Sequence, residues 1–139
     1  MEQPVIESVR YSAVCQDCGA ELECWGTHAL VYGELRWDVE SACSACGSAL
    51  AACGGDLPVE RRDQILAEYG PARLQVSSPP TKNVVVMRVL RAELGIDLMS
   101  AKTVLHRVLD GDHSGTLPEM EHLARTLRKS GIAAAAVRP

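Results

Sequence analysis

The sequence predicts an α+β protein, in which a small β-hairpin domain is followed by a compact β-α-α-β-α-β domain. Three observations carry that prediction. Two short cysteine-bearing segments repeat, Cys15-Gln-Asp-Cys18-Gly19 and Cys43-Ser-Ala-Cys46-Gly47. The residues between them alternate apolar and polar with the period of a strand. The second half instead holds three apolar runs at helical spacing, bracketed by strand-like runs at 72–76 and 132–137. The 139 residues suffice for one ordinary domain or two small ones. With 47% apolar and 23% charged residues the composition is that of a folded protein. Four of the five aromatic residues, Tyr11, Trp25, Tyr32 and Trp37, lie in the first 37 positions. The two halves therefore differ in make-up.

In the front half, both repeats read C-x-x-C-G, then a leucine, then a third cysteine, Cys24 in one copy and Cys53 in the other. Two residues between cysteines let both sulfurs of a tight turn face one ion at about 2.3 Å, and the glycine supplies the positive φ such a turn needs. Two turns give four thiolates in a tetrahedral set: Cys15, Cys18, Cys43 and Cys46. Zn2+ suits that set, and iron in a rubredoxin-like site uses the same ligands. Thioredoxin-like redox pairs are the competing reading, but those open a helix, and no helical period follows either pair. Cys24 and Cys53 hold equivalent places in the two copies, so they are candidates for buried small hydrophobes, a disulfide or additional ligands. His28 is a further candidate ligand.

Between the pairs, His28, Leu30 and Tyr32 alternate with Ala29 and Val31. After Gly33-Glu34, Leu35, Trp37 and Val39 alternate with Arg36, Asp38 and Glu40. That pattern predicts a hairpin turning at the glycine. Knuckle, hairpin and knuckle together resemble the zinc ribbon family over roughly residues 10–55, so residues 1–55 are read as a zinc-ribbon domain. The resemblance implies a scaffold and says little about activity.

Gly54-Gly55-Asp56-Leu57-Pro58 breaks the chain, with an aspartate placed to cap a helix and a proline tolerated in its first turn. A helix carrying Val59, Ile65, Leu66 and Tyr69 should stop at Gly70-Pro71, making 56–71 a helical connector. Leu74 and Val76 alternate with polar residues in a short strand. From Val84 to Leu94, apolar residues at 84, 87, 90 and 94 recur at helical spacing, closed by Gly95. A second helix places Leu98, Ala101, Leu105 and Val108 on one face. A third opens with the capping box Thr116-Leu-Pro-Glu119, turns Met120, Leu123 and Leu127 inward and stops at Gly131. Ile132 to Val137 should pair with 72–76, completing an α+β domain over 72–139.

The run VVVMRVLRAELGIDLMSAK, from Val84 to Lys102, resembles the signature of the C-terminal domain of the bacterial ribosomal stalk protein. The likeness continues through Gly115, Glu121, Leu123, Leu127 and Gly131 and covers roughly 72–138. In that family the first two helices present a surface to translation GTPases. Carried over by position, the partner-binding residues would be Val84, Met87, Arg88, Arg91 and Lys102, an apolar patch ringed by cations that suits an acidic partner. A solvated helix face, with the arginines paired to Glu93 or Glu119, is the plainer reading of the same residues. Asn83 stands where the family has a basic residue, Asp97 replaces a loop glycine, and the family's dimerising N-terminal region is replaced by the cysteine module. The adaptor of the Clp protease shares the fold, but its pocket residues are not matched.

Asp110, Asp112, Ser114, Thr116 and Glu121 occupy the oxygen-ligand positions of an EF-hand loop, with Gly115 at the bend, which makes them calcium candidates. No second such loop exists, and the stalk-domain likeness accounts for Gly115 and Glu121 without Ca2+.

The net charge of −4 hides an asymmetry. Residues 1–57 carry two arginines and nine acids, a charge of −7, against +3 for the remainder. An acidic front half repels a phosphate backbone, so nucleic acid is not expected there. No run approaches the roughly 18 apolar residues of a membrane span, and MEQPVIESVR lacks the features of a signal peptide. With six cysteines read as metal ligands and small hydrophobes, the expected location is cytoplasmic, away from the membrane. No nucleophile with a base, paired carboxylates or phosphate-cradling loop is present, and His106, His113 and His122 have no partner set by spacing. The sequence therefore predicts a non-enzymatic protein-protein interaction protein without a small-molecule substrate, docking a translation factor or ribosome-associated partner. The alternatives are an immunity or inhibitor protein covering a toxic enzyme with its acidic half, and a calcium-regulated module.

Overall fold

The structure, a computed structural model, describes residues 2–139 and bears out the α+β class. The described residues fold as two compact units, one running to Tyr69 and the other from Gly70 to Pro139. Among the described residues no helix is long and apolar enough to cross a membrane.

The first unit is a four-stranded antiparallel meander, β1 (Val5–Val14), β2 (Glu21–Val31), β3 (Glu34–Ala42) and β4 (Ala49–Gly55), in that spatial order, with helix α1 (Val59–Tyr69). The expected hairpin is the β2–β3 pair, longer than the alternation suggested, and β1 and β4 flank it. Neither outer strand was legible. On β1 a buried Glu7 and an exposed Ile6 invert the polarity alternation predicts, and β4 is mostly alanine and glycine.

Val31 pairs with Glu34, so β2 and β3 are joined by two residues, Tyr32 at φ 51° and Gly33 at φ 77°. Both central residues with positive φ make the turn whose twist matches the strands, but tyrosine is strained there. Tyr32 is 89% exposed and packs on nothing that would repay the strain. Tyr32→Asn is therefore expected to stabilise the first unit by about 0.5 kcal/mol, measured as a higher thermal midpoint.

Of the segment 56–71 expected as a connector, residues 56–69 lie in this unit and 70–71 open the second. Ile65 of α1 packs with Val9 and Trp37, flanked by Tyr11, Val39 and Leu57. The Arg61 guanidinium lies 4.2 Å from the centre of the Tyr11 ring. Trp37 lies flat across β2 at Gly26, where a β-carbon would overlap the indole. Near the end of β4 the register slips between Trp37 and Val39, and the Gly54 amide donates to Asp38 Oδ1 at 2.8 Å.

The second unit follows the expected order: β5 (Ala72–Ser77), α2 (Asn83–Leu94), α3 (Leu98–Leu109), the two-residue β6 (Ser114–Gly115), α4 (Leu117–Lys129) and β7 (Ala133–Val137). β5 lies at the centre of a three-stranded antiparallel sheet, and Leu74 pairs with Ala136 as the expected terminal strand requires. Gly95, in the left-handed region, ends α2. The Asp97 side chain accepts from the Ser100 amide at 2.7 Å to cap α3, which gives the departure from the family glycine a local role. The Thr116–Glu119 capping box is formed, with both reciprocal bonds present. The buried face of α2 is Val86, Val89 and Leu90 rather than the 84, 87, 90, 94 row, and Val84 is 61% exposed. These residues pack with Leu74, Val108, Met120, Leu123, Leu127 and Ile132.

Candidate metal centre

Each C-x-x-C-G segment is a hairpin tip, one joining β1 to β2 and the other β3 to β4. In a meander those two tips fall at the same end of the sheet, opposite the Tyr32-Gly33 turn, so the topology itself brings the knuckles together. The two tips share one hydrogen-bond pattern. The Cys15 amide donates to the Ala20 carbonyl and the Gly19 amide to the Cys15 carbonyl, both at 2.8 Å. Cys43 donates to Ser48 at 2.8 Å and Gly47 to Cys43 at 2.9 Å. Gly19 and Gly47 have φ of 77° and 75°, the conformation for which the sequence needed glycine.

The sulfurs of Cys15, Cys18, Cys43 and Cys46 all lie within 4.8 Å of one another. Cys15 Sγ is 3.8 Å from Cys46 Sγ, and Cys18 Sγ is 3.6 Å from Cys43 Sγ. Four sulfurs bonded at about 2.3 Å to a tetrahedral ion stand about 3.8 Å apart, so the spacing is that of a metal-sized set. The first cysteine of each pair is buried and the second exposed. Ser48 Oγ donates to Asp17 Oδ2 at 2.7 Å, a clasp between the two tips that spacing rules did not suggest.

The four thiols also perturb one another. Backbone amides of Cys46 and Ala45 pull the Cys43 thiol down to about 7. On Cys46 the Ser48 amide pulls downward, but hydrogen bonding from Cys18, burial and the other two thiols outweigh it and push the group up to about 12. Cys18 is likewise raised: the Ala20 amide favours its thiolate, but the Cys43 thiol and burial oppose it more strongly in sum. Four thiolates this close would repel, and a divalent ion held among them would supply the missing positive charge. Four protein donors can fill a tetrahedral shell.

Cys24 and Cys53 lie outside this group and are not bonded to each other. Cys24 is buried on β2 opposite Tyr11 and Ser41, and burial raises its thiol above the ordinary range. Cys53 is exposed on β4. His28 is buried on β2 between Glu7 and Trp37 in register, also outside the group.

In the second unit, Val84, Met87, Arg88 and Arg91 come together with Ile96 and Leu98 around a groove of about 540 Å3. Lys102 is exposed on α3 but does not line it. The calcium candidates are differently employed. Thr116 is buried and caps α4, and Ser114 is strand-paired with Arg73. Glu121 pairs with Arg125 at 3.8 Å and Arg128 at 3.2 Å, while Asp110 and Asp112 are exposed. His122 Nε2 meets Glu93 Oε2 at 2.8 Å, bridging α4 to α2, a pairing 29 residues apart that no local pattern announces.

Comparison of the chain with protein families, with characterised proteins and with solved structures finds no match.

Proposed function

We propose that this is a non-enzymatic, cytoplasmic interaction protein: a zinc ribbon whose ion is structural, joined to a stalk-like domain that docks a partner protein. Zinc is favoured over iron for the centre because four thiolates in a closed tetrahedral set need no redox chemistry to explain them. The observation that supports docking is the α2–α3 groove. It has an apolar floor, with Met87, Ile96 and Leu98, and two cations, Arg88 and Arg91, on the same helix. Val84 at 61% and Leu98 at 45% exposure are among the large apolar side chains that this unit leaves in water, with Leu94, Met99 and Leu109. An acidic, amphipathic helix or loop fits such a surface, and a translation factor or ribosome-associated protein is the class the stalk-like resemblance implies.

The double change Arg88→Glu with Arg91→Glu tests this reading. A partner recovered with the wild-type chain should be lost by roughly tenfold or more, because each reversal replaces attraction by repulsion. The circular dichroism spectrum should be unchanged, since both residues are exposed. Undiminished binding by the double variant would contradict the groove's role.

A further inference from the structure

The first sheet finishes its two edges differently. On β1, the Ser8 amide donates to the Tyr69 hydroxyl at 3.1 Å, and that hydroxyl donates to the Ser8 carbonyl at 2.7 Å. The Arg10 carbonyl accepts from Gln64 Nε2 at 2.8 Å. Side chains of α1 thus occupy outward backbone groups that an added strand would need. Among the described residues β4, the opposite edge, pairs only with β3, and all seven of its residues are exposed. Ala49-Leu-Ala-Ala-Cys-Gly-Gly55 carries no charge and no proline, the residues that ordinarily blunt an edge. Its irregularity is confined to the glycine end, and Ala49 to Ala52 keep a regular register with β3.

A pocket of about 400 Å3 opens beside this edge, lined by Trp25, Glu40, Ala42, Ala49 and Ala51 among others. Trp25 stands in register between Arg10 on β1 and Glu40 on β3. Arg10 lies 5.7 Å from the indole centre and 3.9 Å from Glu23. Asp38 is paired with Arg36 at 3.4 Å. Among the described residues Glu40 has no ion-pair partner. A carboxylate beside an indole, next to a strand of alanines too short to cover it, has the chemistry that receives a cationic side chain. Ala51 sits directly opposite Glu40. A strand laid along β4 would send alternate side chains over that face.

We infer that the β4 edge accepts an extended, basic strand of a partner protein, hydrogen-bonded along Ala49–Ala52 with one arginine or lysine seated between Trp25 and Glu40. The charge of −7 over residues 1–57 favours such a strand and disfavours an acidic one. A second copy of this chain is a poorer occupant, because its own β4 has no cation to offer Glu40. The surface is independent of the α2–α3 groove and does not rest on that groove's role.

The test is a titration of the 139-residue, zinc-loaded chain with a peptide of alternating valine and arginine, and with an alternating valine and glutamate control, followed by amide chemical shifts. The arginine peptide should move the amides of residues 49–52 and the indole N–H of Trp25, and the control should not. Glu40→Gln, an exposed isosteric change, should weaken binding roughly fivefold, the scale of one partly exposed charge pair. Arg88→Glu with Arg91→Glu should leave it unchanged. The inference is overturned if the arginine peptide leaves 49–52 unmoved, if the control moves them equally, if Glu40→Gln has no effect, or if light scattering shows β4 already covered in a dimer.

Discussion

Replacing Cys43 by serine should unfold residues 1–69 while residues 70–139 keep their structure. The reason is the disparity between the two cores. In the second unit twelve buried apolar residues form one cluster, spanning β5 and all three helices. In the first, the buried cluster is Val9, Trp37 and Ile65, with three partly buried neighbours. Domains of this size rarely draw more than about 3–5 kcal/mol from a hydrophobic core, and this core is smaller than most. A structural zinc site contributes on the order of 10–16 kcal/mol of apparent binding free energy near neutral pH, and that energy is folding energy when the site exists only in the folded chain. A zinc ion held by the four cysteines would therefore outweigh the core. Cys43 is buried at the start of its tip, so a serine there loses a thiolate ligand without opening a route for water to replace it. An amide correlation spectrum should show resonances from 1–69 collapsing toward random-coil positions, with those of 70–139 still dispersed. A variant that remains dispersed throughout would show that the sheet does not depend on its ion.

Gly26→Ala should be the most damaging single change away from the four-cysteine cluster. A β-carbon at position 26 overlaps the six-membered ring of Trp37, and the contact is with a rigid ring rather than the end of a flexible chain. Trp37 is 5% exposed and is the largest member of the first unit's core, so the ring cannot shift without uncovering Val9 and Ile65. Overpacking of this kind costs roughly 3 kcal/mol, against a core worth little more. Chemical denaturation of the zinc-loaded protein should show the midpoint for residues 1–69 sharply lowered and tryptophan emission shifted to the red. An unchanged midpoint would mean that the ring relaxes at no cost.

Much of this was readable in advance because it is local. The knuckles announce themselves by spacing and glycine, the capping box of α4 by Thr116 and Glu119, and the helix stops by Gly95 and Gly131. The four sulfurs could be grouped from the repeated C-x-x-C-G spacing, while the meander that brings both tips to one end of the sheet was not legible. What escaped notice depends on packing. β1 hides its period because Glu7 is buried and Ile6 is not. β4 has hardly any side chains to carry a pattern. The inward face of α2 shares Leu90 with the row that periodicity picked but takes Val86 and Val89 in place of Val84 and Met87, because Val84, Val85 and Val86 are chemically alike and only the neighbours decide which is covered. Asp17 with Ser48 and His122 with Glu93 are contacts 31 and 29 residues apart, set by topology alone.

Metal content, measured on the purified protein by elemental analysis together with native mass spectrometry, tests the central claim most directly. One zinc per chain, removed by a strong chelator with loss of dispersed amide signals from residues 1–69 and restored on adding zinc back, is the predicted result. Protein that carries no metal and yet shows those signals fully dispersed, unaltered by the chelator, would contradict it.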